Sequence, residues 1–304
     1  MLLPQTHCTL CPRCCGADHS TPGNGFCAPS DPLSVAAVVI HKGEEPLLGG
    51  DTGVCNLFFS HCNLQCLFCQ NRAISDNQSR FLSPFKDLDA VVARIKTLLP
   101  MARNRLGFVS PSHCVAQVIA IVSRLREEGI RPITLYNSNG YDSVSSLQLL
   151  APYIDIYLPD FKYSDPELAR VCSGRADYPA VALNAIREMY RQKGSSLLLD
   201  EEERAFSGIL VRHLVLPGFP ENTKGVLQTL AQEISTGISL SLMAQYHPPG
   251  GPMPYPSLMR TLTTAEYEAA REIFFAEGFY KGFFQDISSH QTYLPSFGEE
   301  EPFA

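Results

Sequence analysis

Short, nearly continuous apolar runs recur from residue 54 onward, at Val54–Phe59, Leu106–Val109, Ile133–Tyr136, Ile154–Leu158, Ile209–Leu216 and Ile238–Leu242. Segments of helical periodicity lie between them, at Leu88–Leu99, Cys114–Glu128, Val144–Leu150, Tyr178–Gln192 and Asn222–Glu233, and a last one follows at Thr264–Ala276. Within Cys114–Glu128 the apolar residues Val118, Ile119, Val122 and Leu125 share one face, and Gly129 ends the run. Strands that are apolar on both faces and alternate with helices predict a parallel sheet with helical crossovers. Six such units predict an α/β fold, a partial (β/α)6 barrel rather than a complete eightfold one. Function is then expected where the strands end. Val35–Ile40 is a further strand candidate ahead of the barrel, Gly194–Arg204 an exposed loop, and the chain after Ser296 a loose tail. The expected division is a Cys-rich extension over 1–50, the barrel over 51–280 and a tail over 281–304.

Composition narrows the class. The chain has 304 residues, 45% of them hydrophobic, enough for a substantial core. A net charge of −7 without a long basic run argues against a nucleic-acid partner. The start lacks a secretory pattern, and Val35–Ile40 is far too short to span a bilayer, so a cytoplasmic protein with no membrane partner is expected. Eleven cysteines in a reducing compartment read as metal ligands before disulfides.

Directly after the first barrel strand stands Ser60-His-Cys62-Asn-Leu-Gln-Cys66-Leu-Phe-Cys69, a Cys-x3-Cys-x2-Cys loop. Three thiolates in one loop can hold three irons of a cubane and leave the fourth without a protein ligand. Zinc completed by His61 or Cys55 is the competing reading, although zinc sites usually show paired Cys-x2-Cys units. Cys55, Cys114 and Cys172 are most simply buried apolar-like thiols. At the N-terminus Cys8, Cys11, Cys15 and Cys27, with Cys14 to spare, form a second four-thiolate set. Loops this rich in Cys, Pro and Gly need a metal to close them, and zinc or a second iron–sulfur cluster both suit four thiolates. His41, Glu44 and Glu45 form a polar cluster before the barrel, either at its entrance or supporting the N-terminal loops.

With Phe68 in the aromatic place, Cys62, Cys66 and Cys69 resemble the signature of the radical S-adenosylmethionine (SAM) superfamily. Further blocks resemble homologues of the pyruvate formate-lyase activating enzyme. They include Cys11-Pro-Arg13, Glu44-Glu-Pro46, Cys69-Gln-Asn71, Asp155-Ile-Tyr-Leu-Pro-Asp-Phe-Lys-Tyr163 and Arg212-His-Leu-Val-Leu-Pro-Gly218. This resemblance implies a [4Fe–4S] cluster on the three cysteines, SAM as cofactor, and Phe68 beside the adenine. Where the activating enzymes carry Gly-Gly-Glu at the second strand end, this chain has Ser110-Pro-Ser112-His113, and the two serines are expected to meet the methionine amino group. Asn137 and Ser138 end the third strand and are expected at the cofactor. Lys162 is expected on the methionine carboxylate and Asp160 at a monovalent-cation site. Arg212 is expected to reach SAM, and His247 the adenine. The implied reaction is reductive cleavage of SAM followed by hydrogen abstraction. The substrate would be a glycyl residue of a partner glycyl radical enzyme, or else another protein or a small molecule. Flavodoxin or ferredoxin would be the electron donor. The rival functions are a non-catalytic iron–sulfur electron carrier and a zinc-stapled interaction protein.

Overall fold

A computed structural model describes residues 7–18, 21, 23–27, 33–79, 81, 83–291, 295–297 and 302. Met1–Thr6 of the Cys-rich extension and most of the tail after Ser296 lie outside the described residues.

The chain opens with β1 (Val35–His41), antiparallel to β2 (Val54–Phe59). A short helix α1 (Arg72–Ser75) and α2 (Leu88–Leu98) precede β3 (Arg105–Val109), and α3 (Val115–Glu127) leads to β4 (Ile133–Ser138). Then come α4 (Val144–Leu150), β5 (Ile156–Pro159), α5 (Pro166–Ser173) and α6 (Tyr178–Lys193). After the two-residue β6 (Leu198–Leu199) follow β7 (Ala205–Leu214), α7 (Pro220–Glu233), β8 (Ser239–Met243), α8 (Thr264–Ala276) and β9 (Gly282–Phe284). The sheet order is β1-β2-β3-β4-β5-β7-β8-β9, with β6 pairing β7. Neighbours from β2 to β9 along this path are parallel.

All six predicted barrel strands are present, and so are the six predicted helices. Some of the helices carry a side-chain cap at their start. Asp87 caps α2 by accepting from the Ala90 N–H at 2.8 Å, and Thr263 and Glu266 form a reciprocal capping box on α8. β9 adds a seventh parallel strand that three residues of sequence do not announce. The expected barrel boundary at residue 280 therefore moves outward, because Gly282–Phe284 pairs with β8 and belongs to the sheet.

Alternation places the side chains. On β2, Asn56 and Phe58 point into the barrel, while Cys55, Leu57 and Phe59 join the core under the helices. A knot of buried tyrosines supports the mouth between β4 and α6. The Tyr178 hydroxyl lies 3.0 Å from the carbonyls of Asn139 and Asp160 and accepts the Lys162 N–H. Gly140 makes this possible: its φ is +83°, and a Cβ there would stand 2.2 Å from the Asp160 carbonyl oxygen. Gly140→Ala is expected to cost on the order of 3 kcal/mol, combining left-handed strain with overpacking against backbone. A thermal or denaturant melt would check this, and a stability within about 0.5 kcal/mol of wild type, the scatter of neutral surface changes, would refute it. Among the described residues no helix is long and apolar enough to cross a membrane.

Candidate active site at the barrel mouth

The three-cysteine loop leaves β2 under tight backbone control. His61 and Gln65 take positive φ, +63° and +60°, and the loop is tied at both ends. The His61 N–H donates to the Ile74 carbonyl, and Asn77 grips Cys62 through both its N–H and its C=O at 2.9 Å each. Asn63 donates to the Tyr141 carbonyl at 2.8 Å.

Each of the three sulfurs meets a donor from a different part of the barrel. Cys62 Sγ lies 3.3 Å from Asn139 Nδ2 and 3.4 Å from the Leu64 N–H. Cys66 Sγ accepts from Ser173 Oγ at 3.1 Å, and Cys69 Sγ lies 3.3 Å from Ser75 Oγ. Donors aimed at sulfur stabilise thiolates and tune iron–sulfur clusters. Removal from water pushes the Cys66 thiol up to about 12, against the opposing pull of Lys162. A metal sharing the charge is the natural resolution for such a sulfur. Among the described residues no three His, Cys, Asp or Glu side chains are placed to hold a single metal ion. Three thiolates on one loop are the donor set of a cubane in which each binds a different iron. The two residues offered as a fourth ligand are engaged elsewhere. His61 has Nδ1 on Ser60 Oγ and Nε2 on the Ser79 carbonyl, 3.2 Å each, and Cys55 faces the core on the far side of β2. Asn139→Ala is expected to lower iron affinity about 10- to 100-fold, as loss of a supporting group does. Chelator competition on the reconstituted protein reads this directly, and unchanged iron retention would remove Asn139 from the site.

Beside the loop a cavity of about 400 Å³ fills the barrel lumen. Asn56, Asn137, Arg212, Ser241 and Gln245 line its walls, and Gln70 and Asn71 of the cysteine loop its rim. A glutamine chain locks loop to sheet: Gln70 Nε2 donates to the Gln245 carbonyl at 2.6 Å, and Gln285 Nε2 to Gln245 Oε1 at 2.7 Å. At the other end of the lumen the β1–β2 connection inserts Glu44 and Glu45. Both carboxylates bind Arg212, with Arg212 Nε 3.0 Å from Glu45 Oε1. Glu44 also accepts from Asn56 Nδ2 at 2.7 Å and lies 3.1 Å from His41 Nδ1. Burial alone would raise the Glu44 pKa, but Arg212 and His41 override it and hold the carboxyl well below the usual range. The His41–Glu44–Glu45 cluster is thus a lumen wall and not a brace for the N-terminal loops.

The other expected SAM contacts divide. Asn137 and Arg212 line the cavity, although the guanidinium is engaged by this chain's own carboxylates. Lys162 Nζ bonds Asp160 Oδ2, and Asp160 with Cys66 raises the Lys162 pKa over the lowering effect of burial. Ser138 donates to buried Asp142 and Ser112 adjoins the same carboxyl, whose pKa burial raises. The Ser138 hydroxyl is therefore spent on shaping the wall, while the buried Ser112 hydroxyl has no hydrogen-bond partner among the described residues. Ser110 is half-buried with φ +51° at the end of β3. Phe68 packs against Tyr246 and Tyr163, ring centres 5.6 and 6.3 Å away. His247 is half-buried just past β8, and its buried Nδ1 has no hydrogen-bond partner among the described residues. Sequence reasoning missed Asn139, Ser173, Ser75 and Gln285, since isolated polar residues carry no periodicity.

In the N-terminal extension Cys8, Cys11, Cys15 and Cys27 line one small pocket, together with Arg13, Phe26, Asn63 and His113, while Cys14 is exposed outside it. Burial first, then the neighbouring thiols, pushes the Cys27 thiol up to about 12.

A parallel partial barrel with a three-thiol loop at its mouth and a polar lumen beside it defines the candidate site. The chain belongs to the radical SAM superfamily, whose model matches residues 56–227. It is 26% identical over 273 residues to the uncharacterized protein MJ0674 of Methanocaldococcus jannaschii, covering 88% of this chain and 74% of that protein. Among solved structures it is similar to a radical SAM methyltransferase from Sphaerobacter thermophilus, with TM-score 0.54 and 15% identity, covering 77% of this chain and 68% of that one. It is also similar to Streptococcus suis SuiB bound to its precursor peptide SuiA, with TM-score 0.50 and 12% identity, covering 76% and 48%. These structural likenesses concern the fold.

Proposed function

We propose that this protein reductively cleaves SAM at a [4Fe–4S] cluster held by Cys62, Cys66 and Cys69 and abstracts a hydrogen atom from a substrate bound in the lumen. The observation that carries this reading is the set of three sulfurs, each with its own donor, at the strand end beside a polar cavity. When bound, the cluster supplies one electron to the sulfonium of SAM, splitting it into methionine and a 5′-deoxyadenosyl radical that takes the hydrogen atom.

The chain's own residues do the rest. Lys162 offers a cation to the methionine carboxylate and bonds Asp160, the carboxylate that the resemblance to activating enzymes sets at a monovalent-cation site. Asn137 lines the lumen from β4, half-buried Ser110 follows β3 at the same end, and the unpartnered His247 Nδ1 suits an adenine contact. Ser138 acts indirectly by fixing Asp142, and Arg212 by holding the lumen wall. The packed aromatic face around Phe68 keeps water from the reacting centre.

The substrate class follows the resemblance to activating enzymes: a backbone glycine of a partner glycyl radical enzyme, with flavodoxin or ferredoxin as reductant. A different protein or a small molecule is the alternative target. The electron-carrier function is disfavoured because His61 and Cys55, the two proposed closing ligands, are engaged elsewhere. Electron paramagnetic resonance of the reduced protein separates the two. SAM binding to an open iron is expected to change the cluster signal, whereas a closed carrier would give the same spectrum with and without SAM.

A further inference from the structure

The N-terminal cysteines are not explained by SAM cleavage at the barrel. Four of the five converge on a single pocket: Cys8 and Cys11 from the first turn, Cys15 after it, and Cys27 after Phe26. The backbone folds them together, with the Cys8 N–H donating to the Ala17 carbonyl at 2.9 Å and the Gly16 N–H returning to the Cys8 carbonyl at 3.0 Å. Two features bear on what they hold.

The first is spacing. A tetrahedral zinc needs all four sulfurs at about 2.3 Å from one point. Four thiols around one pocket can meet that demand or the corners of a polynuclear centre, so the donor set points to a metal and its location decides which kind.

The second is location. The pocket is pressed against the cysteine loop of the barrel, because Asn63, the residue after Cys62, forms part of its wall. The Cys11 side chain hydrogen-bonds Asn63, and Asn63 Oδ1 accepts from the same Asn139 amide that touches Cys62 Sγ. Arg13 closes the contact, its guanidinium 3.2 Å over the Phe26 ring and its Nε donating to the Asn63 carbonyl. One residue and one shared amide therefore separate the two thiol sets. Zinc has no use for that proximity, since it carries no electrons.

We infer that Cys8, Cys11, Cys15 and Cys27 hold a second iron–sulfur cluster, placed to pass electrons to the cluster on Cys62, Cys66 and Cys69. One electron arrives from a flavodoxin- or ferredoxin-type donor, reduces the second cluster, and moves on to the first, leaving the second oxidised again. Four protein thiolates close this cluster, so it binds no SAM. The relay rests on the radical SAM reading above; the occupancy of the pocket does not.

The test begins with the triple variant Cys62→Ala/Cys66→Ala/Cys69→Ala, which leaves the N-terminal set intact. After anaerobic reconstitution it is expected to keep about two to four irons with matching sulfide. Adding Cys8→Ser and Cys11→Ser is expected to remove them. One zinc per chain, no metal, or iron that survives the added substitutions would overturn the inference. In the otherwise intact chain, Cys15→Ala is expected to lose flavodoxin-driven 5′-deoxyadenosine release relative to dithionite-driven release. An unchanged ratio would overturn the relay. Failure of wild-type protein to cleave SAM with any reductant would sink the catalytic reading, and the iron count of the triple variant would still decide this one.

Discussion

Cys66→Ala is expected to strip the barrel cluster and reduce 5′-deoxyadenosine release to below about one-hundredth of wild type, past the range that loss of a supporting group costs. Cys66 sits between Ser173, whose hydroxyl donates to it at 3.1 Å, and the cation of Lys162. Alanine removes the sulfur but leaves both partners aimed at the gap, so no neighbouring group replaces the ligand. The other two thiols stay braced by Asn139 and Ser75, and the variant should fold. Cys172→Ala is the matched control: a buried core thiol near the same loop, whose loss should cost packing stability and leave iron uptake intact. Iron analysis and product quantification on both variants check the pair. Equal iron loss in the two would mean that the loop had merely unfolded.

Arg212→Ala is expected to have the largest effect on stability. The guanidinium is the counter-charge for Glu44 and Glu45, and all three side chains are under 10% exposed. Removing one partner of a buried ion cluster typically costs about 3–5 kcal/mol, because the remaining charges stay desolvated. For a chain of this size that corresponds to a melting temperature lower by roughly 5–8 °C. Combining Arg212→Met with Glu44→Gln and Glu45→Gln should recover much of the loss, since the unpaired charge is gone. The pH dependence has a definite sign. The Glu44 pKa is depressed in the fold, so its contribution is fully present above the unfolded value of about 4.3 and is lost as pH falls below it. The deficit of Arg212→Ala relative to wild type should therefore shrink under acid conditions. A deficit that grew there would contradict the assignment.

The parts legible in the sequence are those with a repeating physical cause. Six strands could be read because burial on both faces makes each a short apolar run, and Val54–Phe59 and Thr264–Ala276 have the expected bounds. β6 and β9 are two and three residues long, too short for any periodicity. Helix α5 is not among the expected helices, although Asp165 caps it, Pro166 stands in its first turn and Gly174 at its end. At the site, close spacing in the chain made the three cysteines readable. Their donors come from residues 6 to 107 positions away. Arg212 was placed correctly in the barrel, but its carboxylate partners lie 167 and 168 positions earlier, a pairing that only the closed barrel creates.

The central claim is that one iron on the Cys62–Cys69 loop is left to bind SAM and deliver it an electron. Anaerobically reconstituted wild-type protein, given dithionite and SAM, should release methionine and 5′-deoxyadenosine in equal amounts. Full cluster occupancy with neither product formed would contradict it.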